Sequence, residues 1–104
     1  MTQDVDLLVK LHRDLMEHPS YAQCTERIKD VIYVKEDYGL DEEFIECYCS
    51  FCDALEEFIF AGAETINHNR INQLRKCGLE VVIEYKGQNP YIYVKTDEGL
   101  LAIG

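Results

Sequence analysis

Apolar and polar residues alternate along this chain with two periods, one typical of helices and one typical of strands. Near the start, Leu8, Leu11 and Leu15 lie three or four residues apart, and this spacing predicts a helix over 3–18 that a proline ends. A capping-box pattern follows, in which a serine precedes a glutamine by three residues. It predicts a second short helix over 20–30.

Two further helices are predicted in the middle of the chain. Asp41 is placed to cap a long helix over 41–61, in which one face is apolar and the opposite face is acidic. The apolar face consists of Phe44, Tyr48, Phe51, Leu55 and Ile59. A shorter helix is predicted over 65–77, because Gly78 suits the left-handed position beyond a last helical turn.

The period-two pattern predicts strands in the last quarter of the chain. Residues 79–86 alternate apolar with polar side chains, and a second strand over 91–96 follows the turn 87–90. A last short strand is predicted over 100–103. An earlier strand is expected at 31–34, where every residue is β-branched or aromatic.

A ten-residue stretch occurs twice, as VIYVKEDYGL at 31–40 and as YIYVKTDEGL at 91–100. The flanking sequences do not align, which favours two strand-plus-turn segments of similar design over a duplicated unit. Each copy ends in a turn with a glycine that can supply a positive φ. We therefore expect the strand at 31–35 to pair with 91–96 in one small sheet.

These elements predict a single α+β domain over 1–104, with N-terminal and central helices and a small C-terminal antiparallel sheet that the early strand joins. The order of helices, strand, helix, helix, strand, strand is similar to that of winged helix-turn-helix domains. The helix over 41–61 is much longer than is usual at its position, so the resemblance concerns the order of elements only.

Charge adds a functional expectation to this picture. The net charge is −10, and residues 36–69 contain ten acids and no lysine or arginine, whereas the flanking segments nearly balance. Exposed helices commonly mix charge signs, so this one-sign segment indicates contact with a basic partner, and a merely solvated surface is the alternative. The predicted contact residues on the helix are Glu42, Glu43, Glu46, Asp53, Glu56 and Glu57.

Tyrosines on the hairpin extend the predicted contact. Tyr91 and Tyr93 are included because tyrosine combines a large contact area with a polar group, although strand propensity explains them equally well. The sequence thus predicts a non-catalytic inhibitor that mimics nucleic acid and occupies the basic surface of a nucleic-acid-binding protein, by analogy with small acidic proteins of phages and mobile elements. A homodimer is left open.

The helix over 65–77 offers an alternative function, a winged-helix-like regulator that binds nucleic acid. Its side chains include the amide and guanidinium groups that pair with base edges. The residues concerned are Asn69, Arg70, Asn72, Gln73 and Lys76. The strongly negative net charge opposes phosphate binding and makes this the second choice.

Metal binding and catalysis have little support in the sequence. Cys49 and Cys52 could share a metal ion, but Cys47 and Cys49 point about 160° apart on a helix, and no second cysteine pair has matching spacing. No nucleophile motif or glycine-rich phosphate loop is present, so we expect no enzyme activity and no cofactor.

The expected compartment follows from the cysteines and the apolar runs. The five cysteines are interpreted as reduced thiols in a cytoplasmic protein, since the first residues show no export signal. No apolar run has the length of a membrane span, so no membrane contact is expected.

Overall fold

The computed structural model describes residues 2–35, 41–60 and 65–103. Its helices are α1 (Thr2–Met16), α2 (Tyr21–Cys24), α3 (Glu42–Phe60) and α4 (His68–Lys76). Its strands are β1 (Thr25–Ile28), β2 (Val31–Val34), β3 (Val81–Lys86), β4 (Asn89–Thr96) and β5 (Gly99–Ile103). The predicted α+β class is confirmed.

One mixed sheet contains all five strands in the order β1–β2–β5–β4–β3. The three C-terminal strands form an antiparallel meander, and β1 and β2 form an antiparallel hairpin. The two units meet where β2 runs parallel to β5, with Ile32 opposite Leu101. The early strand therefore joins the C-terminal sheet as predicted, but the sheet is mixed rather than purely antiparallel.

The predicted pairing of 31–35 with 91–96 is wrong, because β5 lies between β2 and β4. Leu101 of β5 is opposite Val94 on one side and Ile32 on the other. A tight turn returns β5 directly onto the free edge of β4, which leaves only the far edge of β5 for β2. The element order differs from the predicted one by the added strand β1, and β2 does not have the neighbour that we expected from the resemblance to winged helix-turn-helix domains.

The helix predicted over 20–30 is the largest local error. Helix α2 ends at Cys24, and the next four residues form β1. Ser20 makes no capping hydrogen bond with its side chain, because its hydroxyl donates to Asp41 Oδ2 at 2.6 Å. The chain instead reverses at Lys29, which has a φ of 58°, so that β1 can pair with β2.

Helix α3 begins as the sequence predicts. The backbone N–H groups of Glu43 and Phe44 donate to Asp41 Oδ1 at 3.0 and 3.4 Å, which makes Asp41 the cap of this helix. The predicted end of the helix at 61 and the predicted turn at 36–39 lie outside the described residues.

The core lies between the helices and one face of the sheet. All five residues of the predicted apolar face of α3 are at most 6% exposed, and they belong to one buried cluster with residues of α1 and α4. The sheet contributes alternate positions to that cluster: Ile32, Val81, Ile92, Val94 and Leu101. The other face of every strand therefore points away from the helices.

Candidate functional site

Six carboxylates lie along the outer side of α3, and we call them the acidic face. Five of them are exposed and Glu56 is half-buried. Glu42, Glu46, Asp53 and Glu57 project opposite the apolar face because a helix turns about 100° per residue. The acidic face consists of Glu42, Glu43, Glu46, Asp53, Glu56 and Glu57. Of the four remaining acids of the segment, Asp41 precedes α3, and Glu36, Asp37 and Glu64 lie outside the described residues.

The acidic face is not neutralised within the described part of the chain. No ion pair involves its carboxylates there, and the pair that the structure does contain, between Lys95 Nζ and Glu80 Oε2 at 3.9 Å, lies on the sheet. Glu42 and Glu46 are four residues apart, as are Asp53 and Glu57, so like charges are neighbours on the helix surface. Such pairs repel one another.

The negative field acts on a neighbouring thiol. Burial raises the pKa of Cys47, and the carboxylates of Glu43, Asp14 and Glu46 raise it further. The thiol therefore stays protonated and is a poor nucleophile at neutral pH. Its surroundings suit a structural residue between α1 and α3 rather than a reactive cysteine.

Asp41 stands apart from the acidic face because it has a structural role. The Ser20 hydroxyl holds the pKa of its carboxyl below the ordinary value, and the N–H groups of Phe44 and Glu43 lower it further. Asp41 thus joins the turn before α2 to the start of α3. This contact fixes where the acidic face begins.

The two predicted tyrosines lie on the opposite side of the molecule from the acidic face. Ile92 and Val94 point into the core, so Tyr91 and Tyr93 point away from the helices. Tyr91 is 43% exposed, whereas Tyr93 is only 6% exposed among its cross-strand neighbours. The structure therefore does not combine the predicted contact residues into one surface.

Tyr91 and Tyr93 belong to a second surface, which we call the open sheet face. Its side chains come from all five strands and lie opposite the core positions. The open sheet face consists of Ile28, Val31, Tyr33, Val82, Tyr91, Tyr93, Leu100 and Ala102. Sequence reasoning identified only two of these residues, because β1 was predicted as helix and β2 was assigned the wrong neighbour.

The residues of the alternative site lie on α4. Asn69, Asn72, Gln73 and Lys76 are exposed, whereas Arg70 is half-buried. The guanidinium of Arg70 lies 4.8 Å from the Phe58 ring centroid, and its Nη1 donates to the Phe58 carbonyl at 3.3 Å.

A second arginine of α4 is also bound within the fold. Nε and Nη2 of Arg75 both donate to the Val81 carbonyl, at 3.1 and 2.9 Å. Arg70 and Arg75 therefore join α4 to α3 and β3. Lys76 is the base of this helix that carries no such contact among the described residues.

The cysteines and histidines form no metal centre in the described residues. No group of three or more metal-binding side chains lies together there. Cys52 is buried in the core, whereas Cys49 is exposed on the outer side of α3. His12 packs with its ring centroid 5.7 Å from that of Phe51, and its buried Nε2 has no hydrogen-bond partner among the residues that the structure describes.

Two clefts open beside these surfaces. A cleft of about 400 Å³ lies between α1, α3 and α4 and includes Glu57 of the acidic face and the half-exposed Leu7. Another of about 320 Å³ lies at one end of the sheet, among Tyr33, Tyr91 and Lys86. Both are surface grooves, and the carboxylates of Asp4 and Glu57 line the first of them together with Arg70.

Comparison of the chain with protein-family models, with curated proteins and with solved structures finds no match in any of the three. The helices of the described residues include none that is long and apolar enough to cross a membrane. Functional inference therefore rests on the two surfaces themselves.

Proposed function

We propose that this protein is a non-catalytic binding protein whose acidic face occupies a basic surface of a partner protein, of the kind that binds nucleic acid. The observation that carries the proposal is the difference in charge pattern between α3 and the other helices of the same molecule. Because all the helices belong to one chain, the difference in charge pattern between them does not arise from the overall acidity of the protein.

Helix α1 shows the ordinary arrangement of an exposed helix. Asp6 and Lys10 lie four residues apart, so opposite charges are neighbours on its outer side. The outer side of helix α3 is also exposed to solvent, but its charged side chains are all acidic. Its like-charge pairs at this spacing each destabilise the helix by about 0.2–0.5 kcal/mol.

The last turns of the helices differ in the same way. Arg13 lies in the last turn of α1, and Arg75 and Lys76 lie in that of α4, where the negative end of the helix dipole favours cations. The last turn of α3 has no base, and Glu56 and Glu57 lie near it. An anion there costs about 0.3–1 kcal/mol on an exposed helix. Contact with a basic partner would make the same anions stabilising.

The dimensions of the acidic face suit a surface that binds a nucleic-acid strand. From Glu42 to Glu57 the helix rises by about 22 Å, since each residue adds about 1.5 Å. Six carboxylates over that length have a mean axial spacing of about 4.5 Å, similar to the roughly 3.4 Å per phosphate of one DNA strand. A groove lined with lysine and arginine would therefore meet a comparable density of negative charge.

A capture experiment with two baits of equal charge tests this proposal. The first bait is the variant Glu42→Gln, Glu46→Gln, Asp53→Asn, Glu57→Gln, called the neutralised-face variant. The second is a control with the same charge change elsewhere, Asp6→Asn, Glu17→Gln, Asp97→Asn, Glu98→Gln. All eight side chains are exposed.

Each bait is incubated with lysate of the source organism, with and without nuclease treatment, and eluted with rising salt. We expect the wild-type protein and the control to retain a basic protein that the neutralised-face variant loses. Equal capture by both variants would contradict the proposal. So would capture that disappears when nucleic acid is digested, because the contact would then be to nucleic acid.

A further inference from the structure

We propose that the open sheet face binds a second copy of this chain, so that two molecules pack sheet to sheet and direct their acidic faces outward. This surface is separate from the acidic face, and the inference does not depend on the partner proposed for that face.

The apolar character of the open sheet face is the first argument. Ile28, Tyr33 and Tyr91 are 52%, 44% and 43% exposed, and they are three of the five highly exposed large apolar side chains in the described part of the chain. Half-buried Val31, Val82, Leu100 and Ala102 connect them across the sheet. A contiguous apolar surface of this kind marks an interaction site more often than scattered single residues do.

Charge identifies the occupant of this face as another copy. The segments 25–35 and 79–103, which form the sheet and its turns, carry six acids and five bases, whereas α3 carries six acids and no base. The sheet has no excess of either charge that would attract a strongly basic or a strongly acidic partner. An identical face of mixed sign does fit, because acids of one copy can face bases of the other across a two-fold axis.

The rim of the open sheet face carries both signs. Glu26 and Glu84 point to this side, as do Lys86 and Lys95, since all four occupy positions opposite the core. Lys86 Nζ lies 4.9 Å from the Tyr91 ring centroid, within the face itself. Lys95 pairs with Glu80 of its own copy, so Lys86, Glu26 and Glu84 remain to form ion pairs between copies.

Two copies, each with a net charge of −10, can associate by this face because their acidic faces would lie far apart. The helix layer places each acidic face one helix diameter, about 10 Å, beyond the sheet, and packed sheets add about 10 Å more. The two acidic faces would then be separated by about 30 Å, several times the Debye length of about 8 Å at physiological salt. The remaining repulsion should decrease as salt is added.

The size of the face predicts a weak dimer. Five strands about 4.8 Å apart and about five residues long give a surface of roughly 20 by 17 Å. Two such surfaces bury roughly 700 Å² in total, which belongs to the small class below about 1,200 Å², so the dimer should be weak and transient.

Sedimentation velocity tests the proposal on the wild-type chain, from about 5 µM to about 1 mM and at about 50 and 500 mM salt. We expect a monomer–dimer equilibrium that shifts toward dimer by about threefold or more at high salt. The variant Tyr33→Glu should remain monomeric. The matched control is Leu7→Glu on α1, which adds the same charge at a similarly exposed side chain and should dimerise like the wild type.

A monomer at every concentration would overturn the proposal, as would equal loss of dimer in both variants. If Tyr33→Glu does not fold, dilution of the wild-type protein followed by two-dimensional amide NMR replaces it. Shifts that change with concentration at 31–33, 91–93 and 100–102 support the interface. Shifts confined to α1 or α3 contradict it.

Discussion

The acidic face of α3 and the open sheet face lie on opposite sides of one core and differ in the force that each can use. The acidic face carries six carboxylates without an opposing charge on its helix, so its interactions are electrostatic and of long range. The open sheet face is nearly neutral and apolar, so contact there depends on the removal of water from side chains. Added salt should weaken binding to the first face and strengthen association through the second.

The largest expected effect comes from a substitution at the junction between β2 and β5 in the sheet. Gly99 has a φ of +145°, and a Cβ at this position would lie 2.6 Å from the Asp30 carbonyl oxygen at the β2–β5 junction. Gly99→Ala should therefore lower the free energy of unfolding by about 2–4 kcal/mol. Gly87→Ala is the control, because Gly87 has a φ of +69° but open space around it. Equal losses in urea denaturation would show that the close approach is unimportant.

Neutralising the acidic face should have a smaller effect of opposite sign. The neutralised-face variant removes the like-charge pairs of α3 but also loses the favourable position of Glu42 in the first turn, so the free energy of unfolding should rise by only about 0.5 kcal/mol at low salt. The gain should shrink at high salt, because screening already weakens the repulsion in the wild type. The equally charged control variant should gain less. A loss of stability in the neutralised-face variant would mean that the carboxylates have structural partners.

Lowering the pH should reduce the stability of the protein through His12, which packs between the helices. Burial lowers the pKa of His12 below 6.5, so at mildly acidic pH the unfolded chain binds a proton that the folded chain does not bind. Stability is therefore full above pH 6.5 and is lost as the pH falls from there toward the folded pKa. His12→Leu should flatten the fall between pH 7.5 and 5.5 in thermal unfolding. An unchanged profile would exclude His12 as its source.

The smallest effect concerns the contact that sets the start of the acidic face. Ser20→Ala removes the hydroxyl that donates to Asp41, so the pKa of Asp41 should rise toward its ordinary value of 3.8. Because that pKa is depressed in the folded protein, the stabilising effect of Asp41 is present above pH 3.8 and lost below it. Carboxyl NMR titration measures the change, and an unchanged pKa would show that the backbone N–H groups suffice.

Local pattern was enough to predict much of the fold. The apolar residues of α3 and the cap at Asp41 were confirmed, because both depend on neighbouring residues along one helix. The final strand over 100–103 also proved to be part of the sheet. These features arise from short-range geometry that a single sequence displays directly.

Contacts between residues that are distant in the sequence determine the features that the sequence did not reveal. Ser20 has the residues of a capping box around it, yet Asp41, 21 residues away, takes its hydroxyl. Val31 to Val34 resembles 91–94, yet β5 occupies the edge between them. The separation of Tyr91 from the acidic face follows from strand alternation, because Ile92 and Val94 take the core side of β4.

Amide NMR titration with a short arginine-rich peptide tests the central claim most directly, since it reports both faces in one experiment. At about 50 mM salt we expect shifts along α3, from Glu42 to Glu57, and they should weaken severalfold at about 300 mM. Amides at 31–33 and 91–93 should not respond to the peptide. Shifts at the open sheet face with α3 unchanged would contradict the account.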